Sequence, residues 1–382
     1  MTITIAVDSY KGSLSSRAVA DAIERGIRRC VGSDAPTIHK IPIADGGEGS
    51  VDALISALGG EIVATTVTAP LGGKIDAEYG LYTDADGTRT AVIECCAAGG
   101  ITLVPAELRN PMQATSYGVG EQIAHAIQSD CRKIILGIGG SATNDGAMGI
   151  LQALGFRFYD KNDTELGFGG KELASVHHID DSGVDKSILD TEITVFCDVR
   201  NPLYGENGAA YVYAPQKGAD ADMVRALDDG LRSYAEAVRR HTGKDISDMP
   251  GAGAAGGIGG GLTAFLNATL TPGMDAIADI LDIESKIAAS DLVFTGEGKT
   301  DRQTAFGKAP AVIAGIAAKH GVPVVCLSGG IEQDAALYEC GIGAMFSITD
   351  APMSLDCAMQ NADELIANAA ENIFRTYKMV KA

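Results

Sequence analysis

The run Ile134-Ile135-Leu136-Gly137-Ile138-Gly139-Gly140-Ser141-Ala142-Thr143-Asn144-Asp145-Gly146-Ala147-Met148-Gly149 decides the fold class. Its apolar start reads as a buried strand. Gly137, Gly139 and Gly140 break that strand, and a helical pattern resumes near Ala147. Glycines let a backbone come close to a ligand, and a helix N-terminus turns unpaired N–H groups toward it. Ser141, Thr143 and Asn144 add side-chain donors and acceptors. The plainer alternative is a tight strand-to-helix turn, with Asn144 or Asp145 capping the helix.

The same grammar recurs at both chain ends. Residues 3–7 form an apolar run that ends at Asp8-Ser9-Tyr10-Lys11. A helix follows, with Val19, Ile23 and Ile27 on one face and Ser15 or Ser16 as its cap. Residues 38–43 repeat the pattern and end at Asp45-Gly46-Gly47-Glu48-Gly49, before a helix carrying Val51, Leu54, Ile55 and Leu58. Near the other end, residues 291–295, 322–327 and 344–348 are further strands, each followed by helical pattern. Between these blocks the rhythm changes. Residues 61–69, 75–82 and 88–96 are strand-like and joined by Pro70-Leu71-Gly72-Gly73 and Asp84-Ala85-Asp86-Gly87, which read as antiparallel hairpins. A helix over about 115–129, a strand at 193–197 and a helix over about 220–240 complete this section. The expected fold is α/β: a Rossmann-like (flavodoxin-like) parallel sheet built from both chain ends, residues 1–65 and 286–382, with a mixed α/β domain, 66–285, inserted.

Length and composition agree with that reading and exclude several functions. A chain of 382 residues holds about two to three domains. Its net charge of -20 argues against a general nucleic-acid or anionic-membrane binder, because either needs a basic face. A phosphate ligand remains open, since it needs only local donors, usually with Mg²⁺. No apolar run reaches membrane-spanning length, and no basic segment leads into a long apolar core at the start, so a cytoplasmic protein is expected. The 8 cysteines show no CxxC pair or Cys/His ligand spacing, which suits buried thiols in a reducing compartment. His177-His178 are neighbours whose side chains point apart, so they read as surface or packing residues.

Two formal motif matches fail on context. Gly251-Ala252-Gly253-Ala254-Ala255-Gly256 fits GxGxxG, but Met249-Pro250 precedes it where a dinucleotide fingerprint needs a strand. A glycine-rich loop packing closely on a helix, with its helix beginning near 262, is the better reading. Gly298-Lys299-Thr300 resembles the tail of a P-loop, yet Val293 stands where the first glycine belongs. What remains is a set of strand-terminal acids: Asp8, Asp45, Glu48, Asp145, Asp198, Glu297 and Asp301. Singly, each is a helix cap or a solvated turn. Together they lie where open α/β sheets gather ligands, outside the carboxyl ends of strands. Acids repel phosphate, so they imply Mg²⁺ and a proton acceptor, with Lys11, Lys217 and Lys308 as candidate positive charge. Acids, cations and glycine loops are the components of phosphoryl transfer.

These residues resemble the bacterial type I glycerate kinase family. The resemblance runs through Asp8-Ser9-Tyr10-Lys11, 44–49, Arg109-Asn110-Pro111, 137–146, Cys197-Asp198 with Asn201-Pro202, Pro215-Gln216-Lys217-Gly218, 253–257, and 295–298 with Asp301 and Gln303. Cys95-Cys96 and Gly99 replace a more usual Met-Ala and Ser, and Lys299 stands where Arg is common. The family implies phosphorylation of D-glycerate by ATP to 2-phosphoglycerate, in a cleft between a Rossmann-like and an inserted domain. The resemblance leaves the catalytic base open. Asp198, after a buried strand and beside Asn201, is the candidate, with Asp8 and Lys11 as further catalytic residues. Lys11 or Lys217 would neutralise the transferred phosphoryl group or hold the glycerate carboxylate. Ser9, Asp45, Gly46, Gly47, Glu48, Gly139, Gly140, Ser141, Thr143, Asn144 and Gly296 are the remaining substrate and phosphate candidates, and Glu297 and Asp301 those for Mg²⁺. The expected partners are D-glycerate and ATP, without nucleic acid or membrane, and a homodimer is compatible with the sequence. Two rival readings stay open: a Mg²⁺-dependent phosphatase or receiver-like module using Asp8, and a non-catalytic sensor of a small sugar acid.

Overall fold

The computed structural model describes residues 1–32, 35–43 and 49–381. The chain divides into two compact units: Met1–Asp45, Asp52–Leu58 and Met274–Ala382 form the first, and Gly46–Val51 with Gly59–Gly273 the second. Both are α/β, in agreement with the expected fold class.

The first unit is built on a five-stranded sheet in the order Ala344–Ser347, Val324–Ser328, Leu292–Thr295, Thr2–Val7, Thr37–Pro42. Every pairing in it is parallel. Numbered along the chain within this sheet, the order is the flavodoxin-like 2-1-3-4-5. The switch in direction lies between Thr2–Val7 and Leu292–Thr295, which pair Ile3 with Leu292 and Ile5 with Phe294. Strands covered on both faces read as continuous apolar runs, which is why both were visible in the sequence. Ile3, Ile5 and Val7 pack with Val19, Ile23 and Ile27 of the Ser16–Arg28 helix and with Ile366 and Phe374 of Ala362–Lys381. Ser15 caps the first of these helices by accepting from the Ala18 N–H at 3.3 Å. The two helices approach so closely that a Cβ on Gly26 would lie 2.2 Å from the Ala367 carbonyl oxygen.

The second unit carries a six-stranded mixed sheet in the order Thr269–Thr271, Glu192–Phe196, Lys133–Gly137, Arg89–Glu94, Lys74–Thr83, Glu61–Thr68. The last three strands are joined by antiparallel hairpins, and the others pair in parallel. Glycines at 72, 73 and 87 adopt the positive φ those turns need. The helices Tyr117–Gln128, Met148–Ala153 and Ala221–Thr242 supply the rest of the core, the last with Asp220 as its cap and Gly243 in the left-handed conformation at its end.

One element departs from the sequence reading. The glycine-dense stretch is mostly helix: Ala254–Leu266 is assigned helical, broken only by positive φ at Ala255, Gly256 and Gly257. Glycine costs roughly 1 kcal/mol per helical position relative to alanine, so local propensity argues against a helix here. Packing reverses that. A Cβ on Gly259 would sit 2.4 Å from the Gly251 carbonyl oxygen, and one on Gly261 would sit 2.2 Å from that of Gly146. The glycines let this helix lie directly against the 143–147 backbone.

Candidate active site

In the first unit, the ends of three neighbouring strands converge at the switch point. The Asp8 N–H donates to the Gly296 carbonyl at 2.9 Å, which ties the end of Thr2–Val7 to the end of Leu292–Thr295. Gly296 has no room for a side chain, since a Cβ there would lie 1.8 Å from the Leu327 carbonyl oxygen. Asp8 is 7% exposed, and its Oδ1 accepts from the Ser9 N–H at 2.6 Å. Tyr10 is buried and donates from its hydroxyl to the Leu327 carbonyl at 2.7 Å, which anchors the loop whose next residue is the exposed Lys11.

Glu297 is 8% exposed, and burial pushes its carboxyl above the usual range. Its Oε1 accepts from the Thr304 hydroxyl at 2.5 Å, and its Oε2 lies 3.8 Å from the Lys308 ammonium. Asp301 caps the short Arg302–Phe306 turn: its Oδ1 accepts from the Gln303 N–H at 2.9 Å, while the Thr304 hydroxyl accepts from the Asp301 N–H at 3.1 Å. Thr304 therefore links the two acids. The Asp301 Oδ2 stands 3.5 Å from the exposed Lys299 ammonium, which also reaches Glu332. Each acid thus keeps one oxygen facing a lysine at or beyond the limit of hydrogen bonding. Oxygen donors of this kind suit a hard divalent cation that takes its other ligands from water and phosphate. Among the described residues, no group of three or more His, Cys, Asp or Glu could hold a metal alone.

In the second unit, the loop after Lys133–Gly137 is held from several sides. The Ile101 N–H donates to the Gly140 carbonyl, and the Ala142 N–H to the Gly99 carbonyl, both at 2.8 Å. Gly140, Gly146 and Ala147 all have positive φ. Lys217 is 3% exposed and reaches the loop from the Pro215–Lys217 turn. Its ammonium donates to the Ser141 Oγ at 2.8 Å and to the Thr143 carbonyl at 2.6 Å. Burial lowers its pKa to about 8, against the opposing influence of Cys95 and Asp145. Asp145 is fully buried, accepting at Oδ2 from the Ser116 N–H at 2.8 Å, the Ser116 hydroxyl at 2.9 Å and the Gly149 N–H at 3.3 Å. It joins the Tyr117–Gln128 and Met148–Ala153 helix starts rather than facing outward. Desolvation pushes its carboxyl up.

The candidates are distributed unevenly. Asp8, Ser9, Lys11, Gly296, Glu297 and Asp301 belong to the first unit, and Gly139, Gly140, Ser141, Thr143, Asn144, Asp198 and Lys217 to the second. Asp45, Gly46, Gly47 and Glu48 lie outside the described residues. Gly139 and Gly140 reach the surface of the loop, Ser141 lies just beneath, and Thr143 and Asn144 are fully buried. Among the described residues, neither the Thr143 hydroxyl nor the Asn144 amide has a hydrogen-bond partner. Asp198 is exposed just past the Glu192–Phe196 strand, with its Oδ1 accepting from the Gly273 N–H at 2.8 Å. Asn201 is engaged elsewhere, accepting from the Tyr213 hydroxyl at 2.6 Å and donating to the Asn207 carbonyl at 2.8 Å.

Sequence spacing passes over two residues. Glu94 is a buried acid at a strand end whose Oε1 accepts from the Val51 N–H at 2.8 Å. The same strand-terminal rule that selects the other acids would have found it. Arg109 is half-buried, and its backbone packs on Gly218, where a Cβ would lie 2.3 Å from the Arg109 carbonyl oxygen. Its position beside the lysine turn has no signal in the spacing.

A family model described as the glycerate kinase family matches residues 3–378. The chain is 45% identical over 373 residues to a glycerate kinase of Halalkalibacterium halodurans, covering 97% of each chain. It is also 45% identical over 377 residues to the glycerate 2-kinase of Escherichia coli (strain K12), covering 98% of each. A crystal structure from Salmonella typhimurium LT2, assigned as a glycerate kinase 2, matches with a TM-score of 0.90 at 42% identity, over 100% of this chain and 99% of that one.

Proposed function

The chain belongs to the glycerate kinase family, and we propose that it transfers the γ-phosphoryl group of ATP to the 2-hydroxyl of D-glycerate, giving 2-phospho-D-glycerate and ADP. Family membership makes it a kinase, which displaces both the phosphatase or receiver-like reading of Asp8 and the non-catalytic sensor reading. The observation that carries the choice of substrate and hydroxyl is its near-full-length similarity to a protein named glycerate 2-kinase. Use of ATP fits a cytoplasmic enzyme, and no helix among the described residues is long and apolar enough to cross a membrane.

Phosphoryl transfer is governed by positioning and charge neutralisation. The bond that forms joins the substrate hydroxyl oxygen to the γ-phosphorus, and the bond that breaks frees ADP. Asp198 accepts the proton that the hydroxyl gives up. Its anchored Oδ1 fixes the carboxylate, and its exposed position past the strand end lets a substrate approach it. Lys11, in the loop that follows Asp8, supplies positive charge toward the phosphoryl oxygens, and Ser9 with the Gly296 turn shapes the same strand-end edge. Glu297 and Asp301 are the residues that would hold Mg²⁺ or its water shell, where the ion would neutralise phosphate charge. Ser141 offers a hydroxyl to a substrate oxygen.

A coupled assay for ADP release, run with a panel of small hydroxy acids and sugars, tests the reading. Release is expected with D-glycerate and at most weakly with the others. No release with any acceptor, or efficient release with a sugar and none with glycerate, would overturn it. Glu297→Gln removes one carboxylate charge, and the Mg²⁺ concentration giving half-maximal rate is expected to rise about 10-fold or more, by analogy with losses at metal sites. A titration at saturating ATP checks this. An unchanged midpoint would remove Glu297 from that role.

A further inference from the structure

As a lysine in a glycine-bounded turn, Lys217 suits direct contact with phosphate or carboxylate, but the geometry places it behind the loop. It is 3% exposed, with two of its N–H donors committed to the Ser141 Oγ at 2.8 Å and the Thr143 carbonyl at 2.6 Å. An ammonium has no lone pair, so Ser141 must accept in this bond. The Ser141 O–H is then left to donate elsewhere, and no acceptor within the described chain receives it. Ser141 lies on the strand-to-helix loop next to Gly140, which reaches the surface. A serine polarised from behind by a buried cation, with its own proton directed away, is a ready donor to an anion.

We propose that Lys217 is a positioning residue, which acts through Ser141 by fixing that hydroxyl as a hydrogen-bond donor to a substrate oxyanion. This rests on the kinase reading above. The oxyanion is either the carboxylate of glycerate or a phosphate oxygen of the nucleotide. Those sources share their chemistry and differ in which substrate loses affinity. Lys217 does not touch the reacting atoms. Its charge sits behind the serine, held there by the loop carbonyl of Thr143 and countered by the buried Asp145.

The arrangement also carries a pH signature. The titratable groups acting on Lys217 are Asp145 and Cys95, and burial pushes the Cys95 thiol up to about 12. Lys217 itself is brought to about 8. As pH rises through that value the ammonium loses a proton. The neutral amine can accept as well as donate, so Ser141 loses its fixed orientation. Oxyanion affinity is therefore full well below pH 8 and falls as pH rises through about 8.

The test compares wild type, Ser141→Ala, Lys217→Met and the double variant, by steady-state kinetics over about pH 7–9.5 and by calorimetric binding of D-glycerate and of a non-hydrolysable ATP analogue. Loss of about 10-fold or more in affinity is expected for one of the two ligands, the same one in both single variants. A weakened glycerate identifies the carboxylate, and a weakened nucleotide identifies phosphate. The double variant should be no worse than the worse single one, because the two residues act in series. The decline above about pH 8 should vanish in Ser141→Ala. The proposal is overturned when Ser141→Ala keeps KM, kcat and both affinities within about twofold of wild type. This outcome remains decisive even where Lys217→Met fails to fold, since Ser141→Ala leaves the Lys217 bond to Thr143 in place. Wild-type protein that binds both ligands but phosphorylates no glycerate would contradict the proposed function instead, and the binding series would still decide the role of Lys217.

Discussion

Asp198→Asn is expected to lower kcat for glycerate phosphorylation by about 10²- to 10⁴-fold, the usual contribution of a positioned general base. The substitution isolates proton acceptance from structure. An asparagine Oδ1 can still take the Gly273 N–H that Asp198 holds at 2.8 Å, so that hydrogen bond survives. Loss should therefore appear in kcat, with little change in KM for glycerate and an unchanged melting temperature. Steady-state kinetics together with a thermal scan check this. If Asp198→Asn kept kcat within a few-fold while Asp301→Asn abolished turnover, the two acids would exchange roles.

Gly256→Ala is expected to produce a large structural effect from a single added methyl group. Gly256 has φ +74°, a conformation that costs an L-residue roughly 1–2 kcal/mol. A Cβ there would lie 2.1 Å from the Thr143 carbonyl oxygen and 2.5 Å from the Asn144 Cα, both backbone atoms that cannot rotate away. The Gly146 N–H also donates to the Gly256 carbonyl at 3.0 Å, so both partners must move together. The combined cost is about 3–5 kcal/mol, within the range of severe backbone and packing defects. For a chain of 382 residues that lowers Tm by roughly 4–6 °C. Because Thr143 carries the carbonyl that holds Lys217, activity should fall as well. A Tm within about 2 °C of wild type would show that the loop and the glycine-rich helix are not as tightly apposed as described.

Much of the fold was legible because its signals are local. Thr2–Val7 and Leu292–Thr295 of the parallel sheet are apolar runs that stop at Asp8 and at Gly296-Glu297, and a buried parallel strand must read that way. The hairpins showed through Gly72, Gly73 and Gly87, whose positive φ the turns require. The helix at 254–266 did not show, because glycine propensity argues for a loop and only contact with Gly146 and Gly251 explains those residues. The same division runs through the candidate site. Strand-terminal acids are visible to a rule about sheet ends, which also covers the overlooked Glu94. The burial of Lys217 is not visible. From Pro215-Gln216-Lys217-Gly218 the sequence offers Lys217 only as candidate positive charge, and the tertiary structure turns its ammonium inward to Ser141 and Thr143. Asp145 likewise reads as a cap or a ligand. Its three hydrogen bonds to Ser116 and Gly149 instead make it an internal tie between two helix starts.

Transfer of phosphate to the 2-hydroxyl of glycerate is read most directly by phosphorus NMR of the product that purified protein forms from ATP, Mg²⁺ and D-glycerate. A new resonance is expected that coincides with added 2-phosphoglycerate and grows in step with ADP. A resonance matching 3-phosphoglycerate would contradict the assigned hydroxyl, and ATP left intact beside unmodified glycerate would contradict the activity itself.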